Sequence, residues 1–164
     1  MFKELLRLFC SLDRRGLLLL IGALALASNL VAYFGMQLLM GLEPCPLCIL
    51  DRVALFIVIG AVAIYLLPFA LARAAGLVLL FSGLALGLAS TIRHVWLEYN
   101  PESASCLFPS QEGGALSYVL DAFAGTTDCT EVAYRLLGFS LSEMTLALFV
   151  ILLGLLLFAL TRRA

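Results

Sequence analysis

Long apolar runs dominate the pattern of residues along this chain. Four stretches contain no Asp, Glu, Lys or Arg, namely residues 16–42, 53–72, 74–92 and 144–161. Each has the length of about 18 or more residues that a transmembrane helix needs. The pattern therefore predicts four membrane-crossing helices, at about 16–36, 47–67, 74–95 and 143–161. Pro68 ends the second run close to the start of the third, so we expect these two helices to be antiparallel neighbours.

Composition and charge support this interpretation and add an orientation. Hydrophobic residues make up 63% of the chain and charged residues only 13%, whereas soluble domains are about half apolar and a quarter charged. We expect one integral-membrane domain over residues 1–164, an all-α four-helix bundle. Seven of the ten basic residues flank the runs on one side, which predicts cytoplasmic N- and C-termini. They are Lys3, Arg7, Arg14, Arg15, Arg73, Arg162 and Arg163.

Two connections then lie on the outer side of the membrane, at about 37–46 and 98–142. The first is short and apolar. The second is long, and a loop of this length is more often functional than filler. Within it, residues 116–123 have the pattern of a short amphipathic helix lying on the bilayer surface.

A Cys-x-x-Cys pair lies where the second apolar run begins. Pro46 suits the first turn of a helix, so a helix beginning at about Cys45 carries Cys45, Cys48 and Arg52 on one face. The helix N-terminus favours a thiolate at Cys45, and Arg52 adds a permanent positive charge beyond Cys48. A disulfide across two residues closes almost no loop and stabilises little. We therefore interpret this pair as a redox site.

The other three cysteines divide by side of the membrane. Cys106 and Cys129 lie in the long outer loop, and Cys10 is expected to be a free cytoplasmic thiol. Four outer cysteines allow three pairings, and spacing favours Cys45–Cys48 with Cys106–Cys129. The loop pair alone is also consistent with a structural staple. A four-cysteine zinc site would need a second close pair, and Cys106 and Cys129 are 23 positions apart, so we expect no metal.

Two dithiols on one side of a membrane indicate an electron relay. The loop pair can meet a soluble partner, and the helix pair lies at the bilayer. The chain has no haem, flavin or iron–sulfur motif, so the natural acceptor is a membrane quinone. The alternative from another class is a non-enzymatic membrane scaffold with structural disulfides. His94 is the only histidine, and an interfacial histidine is consistent with either a structural or a functional role.

The motifs together resemble the disulfide bond formation protein B family of bacterial inner-membrane thiol oxidases. The similarity spans nearly the whole chain. It rests on Pro-Cys-x-x-Cys-Ile-x-acidic-Arg at 44–52, Ala54-Leu55-Phe56, His94 ahead of Cys106, Asp128-Cys129 and Leu137-Gly138. The resemblance implies a quinone-dependent oxidoreductase that generates disulfides.

The resemblance also implies a role for each outer cysteine. The sulfur of Cys106 is attacked by a partner's thiolate, and Cys129 completes the loop pair. Cys45 exchanges with that pair, and Cys48 faces the quinone as a thiolate. Cys10 has no part in the reaction.

Two further residues and the binding partners follow from the same resemblance. Arg52 stabilises the Cys48 thiolate and the charge on reduced quinone, and His94 hydrogen-bonds or protonates the ring. The electron acceptor is ubiquinone or menaquinone, and the partner is a periplasmic thioredoxin-like dithiol oxidase of the disulfide bond formation protein A type. Two enzyme alternatives are a relative dedicated to one specialised partner and one similar to vitamin K epoxide reductase. The latter usually places its Cys-x-x-Cys late in the chain.

Overall fold

The computed structural model describes residues 13–42, 44–103, 114, 129, 135–136 and 138–162. These residues form a bundle of four helices that are long and apolar enough to cross a membrane. The chain is thus a multi-pass membrane protein with the all-α four-helix architecture that its apolar runs predict. The helices are α1 (Arg14–Leu30), α2 (Pro46–Tyr65), α3 (Ala70–Tyr99) and α4 (Leu141–Thr161).

Four shorter elements also lie within the described residues. A π-helix, Val31–Leu39, continues α1 without a break. A single 3₁₀ turn, Pro101–Ser103, follows α3. Before α4, strand β1 (Arg135–Leu136) pairs antiparallel with β2 (Phe139–Ser140). The predicted surface helix at 116–123 lies outside the described residues.

Local sequence explains where the helices begin. The Asp13 carboxylate accepts a hydrogen bond from the Gly16 N–H at 2.8 Å and caps α1. Ser140 and Glu143 form a reciprocal capping box at the start of α4. Helix α3 begins at Ala70 and so includes Arg73, which makes it longer at both ends than the expected 74–95. A charge interrupts an apolar run without interrupting a helix, and this accounts for the difference.

Glycines let the helices approach closely. Helices α2 and α3 pack against each other more extensively than any other pair, as the short connection between them predicts. A Cβ atom at Gly76 would meet the Tyr65 backbone nitrogen at 2.8 Å, and one at Gly83 would meet the Ala54 carbonyl at 3.2 Å. A Cβ at Gly87 would overlap the ring of Phe149 on α4. Small residues at these contacts are typical of membrane helix packing.

The core is apolar and runs along the bundle axis. All four helices contribute to it, with Ile21, Leu55, Val58, Leu84, Phe149 and Leu152 among its buried members. Large apolar side chains such as Leu39 and Leu71 point outward, which suits a lipid-facing surface. The bundle therefore has two distinct ends. The cysteine end carries Cys45 and Cys48, and the opposite end carries the N-terminus of α1.

At that opposite end, Arg14 joins the first helix to the last. Its Nε atom donates to the Ala159 carbonyl at 3.3 Å, and its Nη2 atom donates to the carbonyls of Leu160 and Arg162 at 3.3 and 2.9 Å. The last carbonyls of an α-helix have no partner inside the helix. Arg14 thus caps the C-terminus of α4 across the bundle.

Candidate functional site

The helix dithiol is held by the first turn of α2. Cys45 is the N-cap residue and Pro46 occupies the first helical position, as the sequence predicts. The Cys48 backbone N–H donates to the Cys45 sulfur at 3.3 Å, and the two sulfur atoms lie 3.0 Å apart. The cap geometry brings both thiols together at the helix N-terminus.

His94 and Cys129 converge on the same sulfur. The His94 Nε2 atom, near the end of α3, lies 3.7 Å from the Cys45 sulfur. Cys129 is fully buried and lies in the same buried cluster as Cys45. Leu47, Leu50 and Leu97 pack around these cysteines and exclude water from them.

The two neighbouring thiols and burial change the acidity of Cys45. The Cys129 side chain, the Cys48 side chain and burial all raise the pKa of the Cys45 thiol. The sequence favours a thiolate there because of the helix N-terminus. The neighbouring thiols and burial oppose this effect of the helix N-terminus on the pKa of Cys45.

Cys129, one of the two cysteines of the outer loop, packs directly against the helix pair. Spacing favours a Cys106–Cys129 pairing, and that pairing stays a prediction because Cys106 lies outside the described residues, as does Cys10. The structure places Cys129 against Cys45, which is the contact that exchange between two dithiols requires. Cys45 is the member of the helix pair that Cys129 reaches.

A cavity of about 450 Å³ opens beside the dithiol. Its wall is mostly apolar and comes from α1, the π-helix, α2, α3 and α4. Its polar end is formed by Cys48, Asp51, Arg52 and His94. Pockets of this size, with an apolar wall and a few converging polar groups, are typical of sites for small organic molecules.

Arg52 is positioned by the end of the first helix. Its Nη1 atom donates to the Gln37 side-chain oxygen at 2.7 Å, and its Nη2 atom donates to the Ala32 carbonyl at 3.2 Å. Both acceptors belong to the π-helix, and such wide turns occur often at functional sites. The sequence interpretation pairs Arg52 with Cys48 and with a reduced quinone, and those roles stay predictions. Arg52 and Cys48 line the same cavity, and Gln37 is an additional partner that the interpretation missed.

Asp51 is the second residue that sequence reasoning passed over. It lies one position before Arg52 and is 95% buried, yet it lines the cavity. Its Oδ1 atom has no hydrogen-bond partner within the part of the chain that the structure describes, and neither has His94 Nδ1. A carboxylate inside the second turn of a membrane-spanning helix is the signal that points to it, since such residues are rare and usually functional.

Known proteins are similar in sequence to this chain over most of its length. The family model described as disulfide bond formation protein DsbB matches residues 14–159. A disulfide bond formation protein B of Xanthomonas oryzae pv. oryzae is 37% identical over 155 residues, covering 87% of this chain and 86% of the relative. The protein of the same name from Psychrobacter arcticus is 36% identical over 136 residues, covering 74% of each chain.

Proposed function

This chain belongs to the DsbB family of disulfide bond formation proteins, and from that premise we propose that it oxidises a periplasmic dithiol oxidase with membrane quinone. Members of this family support disulfide formation in bacteria. The proposed reaction moves two electrons and two protons from the partner's two thiols to quinone, and the partner leaves with a disulfide. The contact of Cys129 with Cys45 beside the cavity carries this proposal.

The four outer cysteines form the electron path. The partner's thiolate attacks the Cys106–Cys129 disulfide at Cys106, which forms a mixed disulfide and releases Cys129. A second partner thiol then frees Cys106. The released Cys129 thiolate attacks the Cys45–Cys48 disulfide at Cys45, the cysteine that it lies against, and frees Cys48. The Cys106 thiolate then attacks Cys129, which re-forms the Cys106–Cys129 disulfide and frees Cys45. Each exchange breaks one S–S bond and forms another, so the disulfide moves outward while electrons move toward Cys48.

The cavity suits a quinone ring. The quinone supplies a two-electron acceptor that is soluble in the bilayer. Cys48 lines the cavity wall and is the donor sulfur. The unpartnered His94 Nδ1 and Asp51 Oδ1 atoms are buried in this wall, within the described residues, and burying such groups without a partner is costly. A quinone oxygen would accept a hydrogen bond from a protonated His94 Nδ1, and a hydroxyl of the reduced ring would donate one to Asp51 Oδ1, so a ring moving close to these atoms would remove that cost.

Arg52 and His94 have separate roles in this proposal. The Arg52 guanidinium is held by Gln37 and Ala32 at the polar end of the cavity. It stabilises negative charge on Cys48 and on the reduced ring oxygen. His94 is a hydrogen-bond or proton donor toward the ring, and it also contacts Cys45. Asp51 is a second buried titratable group through which a proton can reach the ring.

Trapping experiments test the order of the path. Purified protein is mixed with a reduced thioredoxin-like dithiol partner and ubiquinone or menaquinone, and quinone absorbance is followed with time. Cys48→Ser should abolish quinone reduction. With oxidised partner, Cys129→Ser should accumulate a mixed disulfide through Cys106, because the Cys106 thiolate attacks the partner's disulfide and the Cys129 thiol that would resolve the adduct is gone. Cys10→Ser is the matched control and should behave as the parent protein. Quinone reduction that persists in Cys48→Ser would exclude the proposed donor.

Localisation follows from the basic residues and has its own test. We propose a bacterial inner-membrane protein with both termini in the cytoplasm, since basic residues favour that side. A cysteine introduced at Gly114 should react with a membrane-impermeant thiol reagent in intact spheroplasts, and Cys10 should react only after the membrane is opened. Labelling of Cys10 from outside would reverse the orientation.

A further inference from the structure

We propose that the reduced protein binds one thiophilic divalent cation, of the Zn²⁺ or Cd²⁺ class, through Cys45, Cys48, His94 and Cys129. Cation binding would use the same cysteines as quinone reduction but is independent of that reaction, because it needs neither quinone nor partner. The sequence argues against zinc from the spacing of cysteines alone. His94 and Cys129 are far from the dithiol in sequence, and only folding brings them to it.

The geometry of three ligand atoms supports the site. The sulfur atoms of Cys45 and Cys48 and a ring nitrogen of His94 lie within 4.8 Å of one another. Tetrahedral zinc, with bonds of about 2.3 Å to sulfur and 2.0–2.1 Å to nitrogen, places ligand atoms about 3.5–3.8 Å apart. The 3.7 Å separation of Cys45 Sγ and His94 Nε2 fits this directly. The 3.0 Å separation of the two sulfurs needs a side-chain rotation that widens it by about 0.8 Å.

Cys129 completes the ligand set. It is fully buried in the same cluster as Cys45 and Cys48. Its sulfur lies outside the group of ligand atoms that are within 4.8 Å of one another, so the Cys129 side chain has to move toward that group to bind the cation. Three cysteines and one histidine form a common closed zinc site, with no open position for water. Soft thiolate ligands select Zn²⁺ and its heavier relatives over Mg²⁺ or Ca²⁺.

Burial and the outer shell set the strength of binding. Leu47, Leu50 and Leu97 surround the sulfurs and limit competition from water. His94 Nδ1 has no hydrogen-bond partner among the residues that the structure describes. A metal-bound histidine normally donates through its second nitrogen, and loss of that bond costs about 10–100-fold in affinity. We therefore expect weaker binding than at a structural zinc site.

Metal binding and disulfide formation exclude each other. Thiolates bind zinc, and the sulfurs of a disulfide do not. Binding transfers the protons of Cys45, Cys48 and Cys129 to solvent, and no atom is oxidised or reduced. A cation bound here thus holds the dithiol reduced and prevents disulfide exchange between Cys129 and Cys45. The redox state of the helix pair controls whether the site exists.

A cadmium titration tests the site without any catalytic readout. Full-length protein in detergent is reduced without oxygen and freed of excess reductant, and Cd²⁺ is added while the ultraviolet thiolate-to-cadmium absorption is recorded. The expected result is saturation at about one cadmium per chain, displacement by Zn²⁺ and no absorption with oxidised protein. Equal absorption by oxidised and reduced protein would overturn the proposal.

Matched variants identify the ligands. Loss of an outer-shell partner typically weakens metal binding by about 10–100-fold. His94→Gln and Cys129→Ser each remove a ligand and should weaken cadmium binding by more than that. Cys10→Ser removes a thiol outside the proposed site and should bind as the parent does. Parent-like affinity in both His94→Gln and Cys129→Ser would leave only a cadmium bridge across Cys45 and Cys48, and the proposed site would be wrong.

Cobalt provides a measurement on the parent protein, so the conclusion does not depend on variants that fold. Co²⁺ in a tetrahedral site of three sulfurs and one nitrogen gives intense visible absorption, and octahedral Co²⁺ gives almost none. Weak visible absorption from cobalt bound to the reduced parent protein would contradict the ligand set. Because no quinone is present, this outcome is independent of whether the protein reduces quinone.

Discussion

Two arginines, at opposite ends of the bundle, use the same chemical group differently. Arg14 donates to three backbone carbonyls at the end of α4. Arg52 donates to one carbonyl and to the Gln37 side chain, and it lines a cavity beside Cys48. A guanidinium surrounded by carbonyls caps a helix, and one that borders a cavity can also meet a ligand. Hydrogen-bond partners therefore distinguish Arg14, which caps α4, from Arg52, which borders the cavity.

The largest expected effect is on quinone use by Arg52→Gln. The change removes the charge at the polar end of the cavity and keeps a side chain of similar length. Loss of a charge-assisted contact costs about 1.5–3 kcal/mol, or roughly ten- to a hundredfold in kcat/KM for quinone. Steady-state quinone reduction measures it. Arg52→Lys should recover part of the loss, because the charge remains and the planar fork does not.

Arg14→Gln is the control at the other end for that experiment. Its quinone kcat/KM should stay within about twofold of the parent value, because Arg14 is remote from the cavity. Equal kcat/KM in the parent and the Gln and Lys variants at position 52 would make Arg52 an interfacial anchor, and the contrast between the two arginines would disappear.

The next effect is on stability, and it belongs to Arg14. Arg14→Gln removes the charged fork that satisfies the last carbonyls of α4, which should lower the free energy of unfolding by about 1–2 kcal/mol. Unfolding in mixed micelles measures this. Arg15→Gln is the matched control, since the Arg15 side chain is exposed and should contribute less than about 0.5 kcal/mol. An equal loss in both variants would show that the net basic charge, and not the cap, stabilises this end.

The smallest effect concerns Gln37, which positions Arg52. Gln37→Leu removes one of the two oxygens that hold the guanidinium and leaves the Ala32 carbonyl. We expect a loss of about 1 kcal/mol, or roughly fivefold in quinone kcat/KM. Gln37→Glu keeps an oxygen acceptor and should restore most of it. Failure of Gln37→Glu to exceed Gln37→Leu would mean that the side chain only fills space.

The sequence predicts the features that are local along the chain. Apolar runs predict the four helices, and Pro46 with Cys45 predicts the start of α2, because membrane insertion and helix capping depend on neighbouring residues. Contacts across the bundle are different. The meeting of Cys129 and His94 with Cys45 depends on how separate helices and a loop pack. No periodic pattern of hydrophobic residues along the chain predicts that arrangement.

The missed residues of the site have a similar physical cause. Helical geometry places Asp51 about 100° from Arg52, which suggests a different face. The cavity is wide enough to be lined by both. Gln37 reaches Arg52 from a π-helix, and five-residue turns shift side chains away from the faces that a 3.6-residue period assigns. A regular helical projection therefore misplaces this part of the first helix.

The hairpin before α4 limits how far Cys129 can lie from the bundle. Arg135 is paired with Ser140 in that hairpin, and Ser140 also caps α4, so Arg135 is a fixed anchor on the bundle. Cys129 lies six residues before it, and six residues span at most about 20 Å even when fully extended. The Cα atom of Cys129 therefore stays within about 20 Å of Arg135, and any exchange between Cys129 and another thiol has to take place inside that radius.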